Sequence, residues 1–522
     1  MFQYFPQKKI IIIFLIILVL GGSVFFTLNI TKDMDKAFFK EIIGSVKIIL
    51  NSFKYKIDFA QIDNKSLFLS VHGGKPIQQA NFGTAQSIPV LLYHGIIESS
   101  DGSNVLLKNF KEQMFILKKA GWQTISIYDF YDFMQGKKEL PEKSFLLTFD
   151  DGRKDSYYPV DPILQVLDYH AVMFVITARV TGSFHLSVRE LDKMAKTGRW
   201  DLQSHGHDDH DLHSISSTGE KGHFLSNKIW LDEFNRLETS DEFSSRISRD
   251  LLRSKKWLEE RYSKPIVSYA YPFGDFGGGS VNFVTSVIPL IEKAVSDFYP
   301  ISFYQIWYGD GNTFNFKNRT ASKSKRILVK QDWKGIDLLE ILEKGRAKVL
   351  PYKEVFSKDN GWITLRGDFF QNVNKAILTT KGQISSNQTF LDGTLNWTNY
   401  IFNSNLDWNK GSHLLLTGRF QDDKNYVACL FNDEKLRIEQ YLKGKRIIIV
   451  EKQTFFKMPK NNAQFGISVN GNKVECLVDG NSVISAYNLD PALSHGGIGF
   501  KTWDQEINNS EIIIKMVNVE QI

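Results

Sequence analysis

The stretch "FLLTFDDGRKDSYYP" (residues 145–159) decides how this chain is read. An apolar, β-prone run leads into Asp150 and Asp151, followed by a glycine and a polar, aromatic tail. Two adjacent carboxylates each raise the other's cost of ionising unless a cation offsets them. The chain should therefore supply a cation close to the end of this strand.

Outward from that point, short apolar strands alternate with segments of helical spacing. "IPVLLYHGI" (88–96), "SFLLTF" (144–149), "AVMFVIT" (171–177), "WDLQS" (200–204) and "IVSYAYPFG" (266–274) read as strands. Between them, "FKEQMFILKKAG" (110–121), "VDPILQVLDYH" (160–170), "RELDKMAKTG" (189–198) and "RISRDLLRSKKWLEERY" (246–262) read as helices. This alternation over roughly 250 residues predicts an α/β domain with a largely parallel sheet or barrel. Active sites of such folds gather at the C-terminal ends of the strands. Both "LLTF-DD" and "DLQS-H" carry their polar residues at that end.

The second of these opens "SHGHDDHDLH" (204–213), with His205, His207, His210 and His213 close together. Imidazole is the commonest protein metal ligand, and carboxylate plus imidazole is a familiar divalent set. His205 and His210 are five residues apart, which is wrong for one helical face, so they converge only from a loop. A solvated polar loop is the competing reading. A divalent ion answers the question raised by Asp150 and Asp151. One carboxylate binds it, the other is free to take a proton, and its charge keeps both ionised.

The 522-residue chain is 42% hydrophobic, enough for two or three cored domains. A formal charge of +6 without a basic stripe interleaved with aromatics does not point to nucleic acid. The densest basic run, "KNRTASKSKR" (317–326), reads as a solvated loop. "KKIIIIFLIILVLGGSVFFTLNI" places Lys8 and Lys9 before an uncharged segment, Ile10 to Leu28, long enough to cross a bilayer. It reads as a single-pass signal anchor with the rest of the chain outside the cytoplasm. The alternative is a cleaved signal peptide, giving a secreted protein. Cys429 and Cys476 form either one disulfide or two buried thiols. The organisation expected is an anchor (1–30), a stalk (31–86), the α/β domain (87–350) and an antiparallel β-sandwich (351–522), the last marked by short strands between Asn-Gly, Asp-Gly and Gly-Gly turns.

"LLTFDDG", "SHGHDDHDL" and "YAYPFG" occur in the order of the motifs of the NodB-like polysaccharide deacetylases, carbohydrate esterase family 4, and residues 88–350 resemble that family. The resemblance implies a distorted (β/α) barrel that removes N-acetyl groups from amino sugars in a polysaccharide by metal-assisted amide hydrolysis. It implies Asp150 as general base and Asp151, His205 and His210 as ligands of a divalent metal, with zinc favoured and Co, Ni or Fe also compatible. The common family spacing between the two histidines is four, which here lands on Asp209. A spacing of five is similar to the subgroup acting on poly-N-acetylglucosamine, whose general acid matches His94; a packed structural histidine is the other reading of that residue. Tyr271, Pro272 and Phe273 would shape the acetyl pocket, and Trp333 would line the site or pack. The arginine that often precedes the aromatic-proline element is missing; Ser268 is nearby. The segment "RILVKQDWKGIDLLEIL" resembles the domain's closing strand and helix. The C-terminal part resembles concanavalin-like (laminin-G-like) jelly rolls, with Trp397, Tyr400, Trp408 and Trp503 as candidate glycan platforms or core residues. Two other functions compete: a glycoside hydrolase using paired carboxylates, and a non-catalytic, surface-tethered glycan-binding protein.

Overall fold

The computed structural model describes residues 83–180, 183–284, 287–317, 323–380 and 385–522. The expected anchor, Ile10 to Leu28, and nearly all of the stalk lie outside these residues. Among the described residues no helix is long and apolar enough to cross a membrane. The last stalk residues already belong to the α/β domain: Thr84 bridges Pro141, and Ala85 N–H donates to the Leu140 carbonyl.

Seven strands form that domain's centre: β1 (Val90–Tyr93), β2 (Ser144–Phe149), β3 (Ala171–Val175), β4 (Trp200–Ser204), β5 (Ser268–Ala270), β6 (Ile301–Ile306) and β7 (Lys323–Leu328). They pair in parallel in the order β1-β7-β6-β5-β4-β3-β2, and β2 pairs back onto β1, so the sheet closes into a barrel. Both faces of each strand are covered, so the strands read as continuous apolar runs rather than alternating ones. Period two still sorts the side chains. Phe145, Leu147 and Phe149 pack with the helices, whereas Leu146, Val172, Phe174, Ala270, Ile301 and Phe303 fill the barrel's interior.

The longer helices among the described residues are α1 (Leu107–Lys119), α2 (Ile127–Met134), α3 (Asp161–Leu167), α4 (Val188–Lys196), α5 (Ser240–Tyr262), α6 (Val287–Phe298) and α7 (Gly335–Gly345). α5 starts at a capping box in which Thr239 accepts from Glu242 N–H and Glu242 accepts from Thr239 N–H. It buries Phe243, Ile247, Leu251 and Leu258, a stripe at helical spacing. α2 differs from its neighbours. Its Ile127, Phe130, Phe133 and Met134 join the interior cluster and plug the barrel from below. Burying each such side chain stabilises the fold by about 1.5–3 kcal/mol.

One expectation is corrected here. The basic run 317–326 does not end as a solvated loop, because Lys323 to Arg326 are the first residues of β7. Ser324 and Arg326 are buried while Lys323 and Lys325 alternate with them. A strand whose inward positions are a serine and an arginine has no apolar signature, which is why composition alone suggests a loop.

The C-terminal part is an antiparallel two-sheet structure. A sheet built around Glu511–Gln521, Tyr400–Lys410 and Ala463–Asn470 faces one built around Gly497–Trp503, His413–Asp422 and Asn425–Phe431. A disulfide joins Cys429 in one sheet to Cys476 in the other, which resolves the cysteine alternatives. Trp397, Tyr400 and Trp408 are buried in the core between the sheets, so they are not surface platforms. Trp503 is partly exposed and stacks on His413 at 3.6 Å beside a cavity of about 530 Å³. The two parts meet where Asn312 Nδ2 donates to the Gln421 carbonyl and Lys348 Nζ donates to the Asp392 carbonyl, both at 2.7 Å.

Candidate active site

Inside the barrel, an arginine separates the apolar plug from the polar mouth. The Arg326 guanidinium lies 5.0 Å from the Phe174 ring and 6.0 Å from the Phe303 ring. On its other side it grips Asp150 with two parallel bonds, Nη1 to Oδ1 at 2.5 Å and Nη2 to Oδ2 at 2.7 Å. Asp150 follows β2 and continues the inward row of Leu146 and Thr148. Burial pushes its carboxyl up, but the charge and the hydrogen bonds of Arg326 hold it well below the ordinary carboxylate range. Arg326 thus fills the place of the arginine missing before the aromatic-proline element. It arrives from 176 residues further along the chain.

Asp151 departs from the strand. Its φ of +72° is unusual for a residue with a Cβ, and it turns the second carboxylate out of the row of the first. That turn answers the opening question: adjacent carboxylates reach one cavity because the backbone reverses between them. Asp151 Oδ1 lies 3.6 Å from His205 Nε2 and 3.9 Å from His210 Nε2. One ligand atom from each of Asp151, His205 and His210 falls within 4.8 Å of the others.

Both imidazoles are oriented from behind. His205 Nδ1 is 2.8 Å from the Ala270 carbonyl, which can only accept, so Nδ1 carries the proton and Nε2 presents a lone pair. His210 Nδ1 bonds Asp209 Oδ1 at 2.9 Å, and Asp209 Oδ2 accepts from the Tyr269 hydroxyl at 2.6 Å. Asp209 is therefore the support behind a histidine. Burial pushes its carboxyl up to about 7. The packing is close, since a Cβ on Gly206 would sit 1.9 Å from Asp209 Oδ2, and only glycine fits at that φ of +76°. The loop is pinned by Asp250 on α5, which accepts from the N–H groups of His207 and Asp208 at 3.0 and 2.7 Å.

These residues fit a divalent metal. His210 Nε2 is buried and has no hydrogen-bond partner among the described residues, a costly state for a polar atom unless a ligand satisfies it. Burial lowers both His205 and His210 to about 4, so both are neutral at neutral pH, as metal ligands must be. Each donates its other ring nitrogen to a fixed acceptor, the arrangement that orients metal-bound histidines. His207 takes no part, since its Nδ1 bonds Thr177 Oγ1 at 2.8 Å. His213 packs against Phe224.

The remaining expected residues divide. His94 is half-buried just beyond β1. Tyr271 and Pro272 are buried, with Tyr271 in the layer beneath the helices. Phe273 is 56% exposed, and its ring lies 5.8 Å from that of His210. Trp333 is partly buried and meets Tyr308 edge-on at 6.4 Å.

The family model for polysaccharide deacetylase matches residues 137–286. The poly-beta-1,6-N-acetyl-D-glucosamine N-deacetylase of Staphylococcus epidermidis is 30% identical over 240 residues, which are 44% of this chain and 72% of that protein. A protein of the same name from Escherichia coli is 26% identical over 183 residues, covering 32% of this chain and 27% of that one. Among solved structures, a de-N-acetylase from Aggregatibacter actinomycetemcomitans aligns over 49% of this chain and 99% of its own, with 18% identity and a TM-score of 0.41. The pair of carboxylates and the histidine loop lie within the matched segment, and the chain belongs to the polysaccharide deacetylase family, hydrolases that act on amide bonds.

Proposed function

We propose that the chain removes N-acetyl groups from a polymer of N-acetylglucosamine outside the cytoplasm, with Asp151, His205 and His210 holding a divalent metal, zinc by preference. The observation that carries this reading is the orphaned His210 Nε2, set beside His205 and Asp151 and next to a carboxylate that Arg326 keeps ionised. The metal, when bound, supplies Lewis-acid activation of a water and of the acetyl carbonyl. Asp150 accepts the proton of the attacking water, and Arg326 fixes the direction from which it does so. His94, just beyond β1, protonates the departing sugar amine. The relatives' printed substrate supports a β-1,6-linked polymer. The apolar segment Ile10 to Leu28 behind Lys8 and Lys9 supports attachment to a cell membrane, or secretion if the segment is cleaved. In the sandwich, the Trp503 cavity is the remaining candidate for an accessory glycan contact.

A glycosidase needs one carboxyl that holds a proton for the leaving oxygen. Asp150, gripped at both oxygens by a guanidinium, does not provide it. The deciding experiment measures acetate released from poly-β-1,6-N-acetylglucosamine, chitin oligomers and peptidoglycan, with and without chelator. Chelator-sensitive acetate release from the first, lost in Asp150→Asn, is expected. Shortened chains without acetate would replace this reading with the glycosidase, and binding without any product would replace it with the glycan-binding protein.

A further inference from the structure

Phe273 is an aromatic ring in an unusual position. It exposes 56% of its surface at the edge of the metal cluster, although Tyr271 and Pro272 beside it are buried. Its backbone is left-handed, at φ 59° and ψ 10°, a conformation that a bulky residue holds only when its surroundings enforce it. His223 enforces it. The two rings stack with centroids 4.6 Å apart and planes 12° from parallel.

His223 is itself fixed. It ends the short strand Lys221–His223, which pairs with Leu212–Ser214 just after the histidine loop. Its Nδ1 lies 2.7 Å from Asp275 Oδ2, which also accepts from Ser226 Oγ at 2.5 Å. The other oxygen, Asp275 Oδ1, accepts from Gly277 and Gly279 N–H at 2.9 and 3.0 Å. A carboxylate with four donors holds one imidazole, and that imidazole backs one face of a phenyl ring. With 56% of its surface exposed the ring keeps area for something outside the protein, and its centroid lies 5.8 Å from that of the His210 ring.

We propose that His223 is a positioning residue that acts through Phe273. Held by Asp275, it sets the phenyl ring as a rigid wall against which the C–H face of a pyranose ring lies while its acetamido group reaches the metal cluster. The inference rests on the deacetylase reading and adds the element that recognises the sugar ring itself. Apolar contact on a preorganised ring lowers the ordering cost of binding, so loss of the wall weakens substrate binding more than it slows bond cleavage.

The test uses the full chain, metal-loaded for kinetics and chelated for equilibrium binding of a β-1,6-linked N-acetylglucosamine pentamer by titration calorimetry. His223→Ala should raise KM and weaken pentamer binding by about threefold to tenfold, the range expected for one aromatic contact, with a smaller change in kcat. His223→Phe, which restores a flat ring behind Phe273, should recover most of the affinity, while His223→Gln should not. His223 is partly exposed, so these variants are expected to fold, and matched thermal midpoints verify it. The proposal is overturned if His223→Ala keeps wild-type affinity, if kcat collapses at constant KM, or if His223→Phe is as weak as His223→Ala. If the wild type binds the pentamer in a His223-dependent way but releases no acetate, the deacetylase reading falls and the wall stands. Absence of pentamer binding by the wild type overturns the wall.

Discussion

Arg326 and Asp150 are a buried ion pair whose worth can be isolated by a double-mutant cycle. Their side chains are 1% and 3% exposed, so neither charge has water to turn to if its partner is removed. Breaking one side of such a pair costs about 3–5 kcal/mol, because it leaves an uncompensated buried charge. Arg326→Met and Asp150→Asn should each destabilise the barrel by that order. The double variant should lose much less than the sum, since neither charge then remains. At about 2–4 °C per kcal/mol for a domain of this size, each single variant melts roughly 6–20 °C below the wild type. The assay is calorimetric unfolding of the full chain, following the barrel transition separately from that of the sandwich. Strictly additive losses, with coupling under about 0.5 kcal/mol, would refute the claim that Arg326 holds Asp150. The same variants report on chemistry: Arg326→Met should cut acetate release by about 10²-fold or more, the usual size of a general-base contribution. Arg326→Lys should restore little, because an ammonium cannot make the two parallel bonds.

His205→Ala and His210→Ala should each abolish stoichiometric metal retention after dialysis, while His207→Ala retains metal; equal retention in all three would remove the ligand assignment. Tyr269→Phe, which releases Asp209 behind His210, should weaken metal binding by about 10- to 100-fold in a competition titration, the usual effect of losing a supporting contact. Replacing Cys429 and Cys476 by serine opens a link between positions 47 apart and should destabilise the sandwich by about 4 kcal/mol, leaving acetate release intact. Lys348, which burial lowers to about 8, supplies a pH test. Above pH 8 the unfolded chain holds this proton and the folded one does not, so its contribution to stability rises towards pH 10.5 by up to about 3 kcal/mol. Melting temperatures of the wild type minus Lys348→Met should climb over that window, and a flat difference would count against the burial argument.

How much of this was legible in the sequence depends on how far apart the cooperating residues lie. β2 and β4 were readable because strands buried on both faces are continuous apolar runs, and Asp150, Asp151, His205 and His210 sit directly at their ends. Arg326 was not readable as a partner. It lies 176 residues from Asp150 in a Lys/Ser-rich run, and its inward direction has meaning only once β7 is known to be a strand. The His223–Asp275 contact spans 52 residues and joins a hairpin to a turn, neither of which carries a periodic signal. Tryptophans in the sandwich misdirect for a different reason: their size marks them as conspicuous, yet the core between the sheets takes three of the four aromatic candidates.

The two neighbouring aspartates show why residue type alone does not assign a role. Asp150 stays in the inward row of its strand, above Thr148 and a guanidinium, so its charge is fixed by the protein whether or not a metal is present. Asp151 is rotated out of that row by its positive φ. Burial works against its ionisation, and its compensation comes first from His205, then from His94 and His210. Both histidine ligands are neutral at neutral pH, and the cation beside Asp151, Arg153 Nη1, stands 3.9 Å from Oδ2 while Arg153 makes its hydrogen bonds to Asp155, whereas Arg326 grips Asp150 with two short bonds. The carboxylate locked by two bonds keeps one fixed direction, which suits a base, and the one held only at a distance is the one free to take a metal. Exchanging the two environments would exchange the roles without changing a letter of the Asp-Asp pair.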